Sequence, residues 1–295
     1  MISGFTILRN GTKYDYPFVE SIKSVLPIVD EMIVCLGKSE DDTEQKVLAI
    51  NSPKIKIVAS VWDDSLREGG KVLAIETDKA KAACSPDSKW LVYIQADEVL
   101  PDQYYQALQV AMQQYANDSR VEGLLVKYKH FYGGYRYEAD GIKWYSKEVR
   151  IIKNDAAFHS YRDAQGFRKN GQKLRVKEIS AYYYHYGWVR NPIQMLQKNI
   201  DFGQYWRNAA TQQAWQIAQN KNAQNNQFDY SQIDSIRIFD EAHPALMHDR
   251  IAQADWDVQL NQDLKRFKSY KHKLLYQFLQ LFGWRPFEYK NYLKI

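Results

Sequence analysis

The chain has 295 residues, 45% of them hydrophobic and 25% charged, with a formal net charge of +5 at pH 7. That length accommodates one large α/β domain with appendages or two modest ones, and the composition is that of a folded, water-soluble protein, not a disordered one. No apolar run is long enough to span a bilayer, and outside a basic tail the charge is close to balanced, which argues against a general nucleic-acid binder.

Residues 2–9 (ISGFTILR) read as a first strand that ends at the Asn10-Gly11 turn signal. Phe18, Ile22, Val25 and Leu26 then recur at helical spacing until Pro27. DEMIVCL, from Asp30 to Leu36, is a second strand, KSEDDTEQKVLAI passes from a polar loop into a second helix, and IKIVASVW (55–62) is a third strand. After the loop DDSLREGG comes a lysine- and alanine-rich helix over roughly 70–83, followed by a strand over 90–95 within SKWLVYIQADEVL. This alternation predicts an α/β fold with a mostly parallel, doubly wound sheet, because parallel neighbours need helical crossovers that cover both faces. Pro101 opens a further helix with Tyr104, Leu108, Met112 and Tyr115 on one face.

Beyond residue 120 the pattern changes. VEGLLVKYKHFYGGY, WYSKEVRIIK and KEISAYYYHYG read as a small antiparallel extension with aromatic edges, and the paired Gly133 and Gly134 suggest a loop through His130–Tyr137. Residues 191–295 are expected to form a helical extension, with a polar loop around NKNAQNNQ. The tail from Lys265 onward carries eight Lys or Arg against the single acid Glu288. Leu264, Phe267, Leu274, Phe278 and Leu281 lie there at helical intervals, up to Gly283. A basic amphipathic helix of this kind rests either on anionic lipid or on the body of its own protein. Cys35 and Cys84 are too few for a disulfide framework and read as small buried residues. The start MISGFTILRN has no basic leader before an apolar block, so a cytoplasmic location is expected.

The strand over 90–95 runs into two acids, Asp97 and Glu98. In an open parallel sheet, ligands bind beyond the carboxyl ends of the strands, where loops converge. The run IVCLGKSEDDT (Ile33–Thr43), then Arg67 and a helix, then QADE, then YYYHYG, resembles in order and motif the nucleotide-sugar-binding half of family 2 glycosyltransferases with the GT-A fold. The resemblance covers about residues 3–190. It implies a glycosyltransferase domain over 1–190, with 1–100 binding the nucleotide-sugar and 101–190 the acceptor. The implied activity is inverting, metal-dependent transfer of a sugar from a nucleotide donor to a glycan or lipid-linked glycan in envelope polysaccharide assembly, by a bacterial-type enzyme at the inner face of the membrane.

The resemblance also implies site roles. Asp97 is the expected ligand for Mn²⁺ or Mg²⁺, since a hard cation stabilises the diphosphate leaving group through oxygen ligands. His185 is the expected second metal ligand and favours manganese, although a histidine hydrogen-bonded among tyrosines fits the same strand. Gln95 replaces the first acid of the family's Asp-x-Asp motif, and Leu36 replaces a base-contacting Asp, so both metal dependence and base identity stay open. Arg9, Ser39, Asp41, Arg67, Gln95 and Asp97 are candidate donor-binding residues, with Lys71 an alternative to Arg67. For the base that deprotonates the acceptor hydroxyl, Asp163 in HSYRDAQGFRKNG is the first choice, with Glu138 and Asp140 next. Two rivals are a nucleotidyltransferase, which ILRNGTKYDY disfavours because it lacks a glycine-rich phosphate loop, and a non-catalytic glycan-binding or scaffold relative.

Overall fold

The computed structural model describes residues 1–66, 69–207, 211, 213–217, 227–263 and 265–295. Arg67, the polar run NKNAQNNQ up to Asn226, and Leu264 therefore lie outside the described residues. The first half contains β1 (Ile2–Leu8), α1 (Phe18–Val25), β2 (Glu31–Gly37), α2 (Thr43–Leu48), β3 (Ile55–Ser60), α3 (Lys71–Ala82), β4 (Trp90–Tyr93), β5 (Glu98–Val99) and α4 (Tyr105–Gln114). There follow β6 (Gly123–Tyr132), β7 (Gly134–Glu138), β8 (Lys147–Lys153), β9 (Phe158–Tyr161), β10 (Gly166–Lys169), β11 (Gln172–Lys173) and β12 (Arg175–Trp188). The last third holds α5 (Pro192–Phe202), β13 (Arg237–Ile238), α6 (His248–Ala252), α7 (Tyr270–Phe282) and β14 (Leu293–Lys294).

The main sheet is α/β and mixed, running β13-β7-β6-β8-β4-β1-β2-β3. It is parallel through β3-β2-β1-β4, as the alternation predicts, and turns antiparallel where β8 and β6 continue it. β12 lies parallel along β6 and takes β5 and β14 on its own edge. β9, β10 and β11 form a separate antiparallel sheet. Residues 191–295, expected as helical, thus also lend β13 and β14 to the main sheet.

Every residue of β2 is buried, because helices cover the sheet from both sides. On one face Phe18, Ile22 and Val25 of α1 and Leu108 and Met112 of α4 pack on Leu8, Val34 and Val92. On the other, Val72 and Ala80 of α3 pack on Phe5, Ile7 and Ile33. Each such side chain contributes about 1.5–3 kcal/mol by leaving water. Cys35 and Cys84 are free and buried, as expected.

Two expectations are corrected. The stretch His130–Tyr137 is not a loop but the end of β6, a turn at Gly133, and β7. Phe131, Tyr132 and Tyr137 are buried, and β12 and the C-terminal segment cover Phe131: it stacks on Tyr186 at 4.8 Å and meets Phe239 edge-on at 4.9 Å. The tail helix begins after Phe267, where Ser269 caps His272 N–H at 3.3 Å, and it ends at left-handed Gly283. None of its residues is fully buried, and Leu274 and Leu281 of its apolar stripe are exposed.

Candidate active site at the ends of the parallel strands

A cavity of about 380 Å³ opens where β1 and β4 end, lined by Arg9, Trp62, Gln95, Asp97, Asp163, His185, Gly187 and Lys198, with Trp188, Phe202 and Trp206 as apolar walls. The turn after β4 carries Gln95 and Asp97, the β9–β10 turn carries Asp163, β12 carries His185, and α5 brings in Lys198. The structure therefore joins five of the sequence candidates: Arg9, Gln95, Asp97, Asp163 and His185.

Asp97 Oδ2 lies 3.6 Å from His185 Nε2. The histidine's tautomer follows from its partners. His130 is buried and held neutral, its basicity pushed far down by burial and then by the charge of His185. Its Nε2 faces the Tyr145 carbonyl at 2.7 Å and must donate there, so its Nδ1 accepts from His185 Nδ1–H at 3.0 Å. His185 consequently presents Nε2 to Asp97, where it can hold either a proton or a metal ion. A second partner on the far ring nitrogen is the usual support for a metal-binding histidine.

Space for a cation is visible in Gly187. A Cβ there would stand 2.6 Å from His185 Nε2 and 2.7 Å from Asp97 Oδ2, so only glycine leaves this gap open. One carboxylate and one imidazole suit Mn²⁺, with the remaining positions open to phosphate oxygens and water. Among the described residues no cluster of three or more His, Cys, Asp or Glu forms a closed metal site. Gly187→Ala is expected to weaken Mn²⁺ binding at least about tenfold, as read by calorimetry at a temperature where thermal denaturation shows the variant folded. Unchanged Mn²⁺ affinity would exclude this gap as the metal position.

The site is rich in buried cations that the motif reading missed. Lys198 Nζ and Arg190 Nη2 both donate to the Gly187 carbonyl, each at 3.0 Å. Arg190 also donates to Tyr14 O, and its Nε has no partner among the described residues. Burial and then the nearby Arg190 charge push the Lys198 ammonium down to about 7. Asp97 is held well below the usual carboxylate range: burial opposes its charge, but His185, Lys198 and Arg190 outweigh burial. One sequence signal did mark Lys198, since it lies on the apolar stripe of α5 between Met195 and Phe202.

Gln95 and Glu98 face inward. Glu98 is fully buried and accepts from Arg150 Nη2 at 2.8 Å, Tyr128 OH at 2.7 Å and Gln95 N–H at 3.1 Å. Arg150, equally buried, donates through Nη1 to Gln165 O at 3.0 Å. The Gln95 amide makes long contacts of 3.4 Å to Arg150 Nη2 and to Ala164 O. An amide can bridge a donor and an acceptor in this way, whereas a carboxylate could not donate. The Arg150 cluster thereby ties the Asp97 turn to the turn carrying Asp163. Asp163 is itself raised above the usual carboxylate value, chiefly by burial. Gly70, in the left-handed region at φ 69°, permits the close approach of this turn: a Cβ there would lie 2.4 Å from Asp163 Cβ.

Other candidates lie elsewhere. Arg9 lines the cavity but is paired with both oxygens of Asp64, at 2.6 and 3.1 Å. Ser39 Oγ accepts from Asn10 N–H at 3.0 Å and Asp41 from Lys13 N–H at 2.6 Å, joining the loops after β1 and β2 beside a separate groove. Neither lines the Asp97 cavity. Glu138 pairs with Arg237, and Asp140 accepts from Ser235 and Tyr276, so neither lines the cavity. Lys71 is exposed at the start of α3 and also lies outside it.

No protein-family model matches the chain, and no curated protein sequence matches it. Among solved structures, it is similar over 44% of its length to glucosyl-3-phosphoglycerate synthase from Mycobacterium tuberculosis in complex with Mn²⁺, uridine diphosphate and phosphoglyceric acid, at 22% identity and a TM-score of 0.30. It is similar over 68% of its length to residues 1–349 of S. aureus TarS in complex with uridine diphosphate, at 15% identity and a TM-score of 0.41. The chain spans 43% of the synthase and 64% of the TarS fragment, less than two thirds of either.

Proposed function

We propose that the chain is an inverting glycosyltransferase using a nucleotide-diphosphate sugar. The observation that carries this reading is the pairing of Asp97 and His185 across the Gly187 gap, beside buried Lys198 and Arg190, in a cavity beyond the ends of the parallel strands. An acid–imidazole pair with cations next to it suits a metal diphosphate, which is multiply anionic but brings its own counter-cation. When bound, a divalent cation held by Asp97 and His185 supplies positive charge beside the leaving diphosphate.

The chain's own residues do the rest. Lys198 binds the diphosphate, and Arg190, behind it, fixes the Gly187 carbonyl and adds its field. Asp163 takes the proton from an acceptor hydroxyl as that oxygen attacks the anomeric carbon, and the bond from this carbon to the diphosphate breaks with its electron pair leaving on phosphate. Trp188, Phe202 and Trp206 offer flat apolar faces to a sugar or base and exclude water. Envelope polysaccharide assembly, with a glycan or lipid-linked glycan as acceptor, is the pathway the resemblance implies.

The test is Asp163→Asn, which is expected to leave donor binding intact and lower transfer by about 10²–10⁴-fold, the worth of a general base. Retained transfer would reassign the base. Asp163 acts ionised, so kcat/KM falls as pH drops through its raised value. Lys198 acts charged, so kcat/KM also falls as pH rises through about 7. Lys198→Arg keeps its charge at all working pH values, and the alkaline limb near 7 should disappear from the rate profile. An unchanged alkaline limb would show that another group sets it.

A further inference from the structure

The tail helix α7 is attached by its polar side. Tyr276 OH donates to Asp140 Oδ2 at 2.9 Å, and Gln280, one turn on, approaches the same oxygen at 3.4 Å. The strap that follows is fixed by Arg285 Nη1 on Trp144 O and by Glu288, which accepts from Ser146 N–H and Oγ–H at 2.9 Å each. At 100° per residue, Leu274, Phe278, Leu281 and Phe282 lie on the side opposite Tyr276 and Gln280.

That apolar side faces away from the protein. Leu281 is 77% exposed, Phe282 67%, Trp284 59% and Phe287 88%. Phe278 packs its ring at 4.5 Å on Phe282 and at 5.4 Å on Trp284, so these residues form one aromatic cluster. A helix that spends its polar face on its own protein and leaves this much aromatic surface outward is an interaction site.

Charge decides what it meets. Residues 265–295 carry eight Lys or Arg and one Glu, an excess of 8 − 1 = 7. Lys268, Lys271, Lys273 and Lys290 make no ion pair with any described residue, and the Lys271 ammonium sits 5.7 Å from the Phe287 ring centre. A second copy would bring the same positive excess to the same face and be repelled. Exposed Trp and Phe with an unpaired lysine beside them match the boundary between acyl chains and anionic headgroups.

We propose that α7 and the strap through Lys290 dock on an anionic lipid bilayer, with Leu281, Phe282, Trp284 and Phe287 inserted and Lys268, Lys271 and Lys290 on the headgroups. This inference does not rest on the glycosyltransferase reading. The test is co-sedimentation of the full chain with vesicles of phosphatidylcholine alone or with about one third phosphatidylglycerol. Binding should be at least about tenfold stronger to the anionic vesicles and weaken in high salt. The double variant Trp284→Ser/Phe287→Ser and the charge variant Lys268→Glu/Lys271→Glu should each lose about tenfold or more. Both alter exposed positions, and unchanged melting curves would confirm that they fold. Absence of sedimentation with either vesicle, equal binding to both, or full binding by both variants overturns the proposal. Self-association in sedimentation velocity that the double variant abolishes, with vesicle binding absent, would assign the face to a second copy instead.

Discussion

Replacing Arg150 by methionine is expected to destabilise the fold by about 3–5 kcal/mol, the cost of leaving a buried carboxylate without its cation. Arg150 and Glu98 are 1% and 0% exposed along their side chains and meet at 2.8 Å, so water cannot replace the lost partner. In a chain of this size the melting temperature should fall by roughly 6 °C or more. Arg150→Lys should recover part of this, since lysine restores the charge but not the fork that reaches Glu98, Gln95 and Gln165 together. Donor affinity should drop in both variants, because the same guanidinium holds the Asp97 and Asp163 turns in register. A loss under about 1 kcal/mol by denaturant unfolding would mean that Glu98 is neutral in the folded protein and the pair is not an ion pair.

Asp97→Asn is expected to reduce transfer, or donor hydrolysis without acceptor, by about 10²–10³-fold, the scale of removing one electrostatic contact to a developing charge. The amide is nearly the same size and keeps the backbone of the turn, including the Asp97 O to Tyr186 N–H bond at 2.8 Å. Stability should fall as well, because the charge that offsets His185, Lys198 and Arg190 is lost, so binding is read on the folded fraction at low temperature. Mn²⁺ should no longer enhance donor binding, which separates loss of a metal ligand from loss of a general electrostatic partner. Full activity would remove Asp97 from the chemistry.

The parallel half of the sheet was legible because its cause is local: apolar strand runs alternate with helical spacing, and that rhythm allows few folds. The nearness of Asp97 and His185, 3.6 Å apart, follows residues that stand out in one dimension, acids after a strand end and a histidine in an aromatic strand. The hairpin at His130–Tyr137 misled, since two glycines mark a turn but do not say that Phe239 and Tyr186 will bury the rings around it. Ser39 and Asp41 keep the motif of the resemblance, and the structure shows what the sequence does not, that their oxygens accept from backbone donors of the loop after β1. The residues that surround the chemistry were visible only as exceptions to pattern. Arg150 is an arginine inside the strand EVRIIK, and Lys198 is a lysine on an apolar helix stripe; what each pairs with depends on strands far away in sequence. Gln95, a donor-binding candidate in place of the motif's first acid, lines the cavity and also bridges Arg150 and the Asp163 turn, contacts that depend on strands far away in sequence.

Isothermal titration of UDP-, GDP- and dTDP-sugars into the purified protein, with and without Mn²⁺, tests the donor site most directly. One nucleotide class should bind, at least about tenfold more tightly with Mn²⁺ than without it. Absence of binding by every nucleotide-sugar under both conditions would contradict the glycosyltransferase reading.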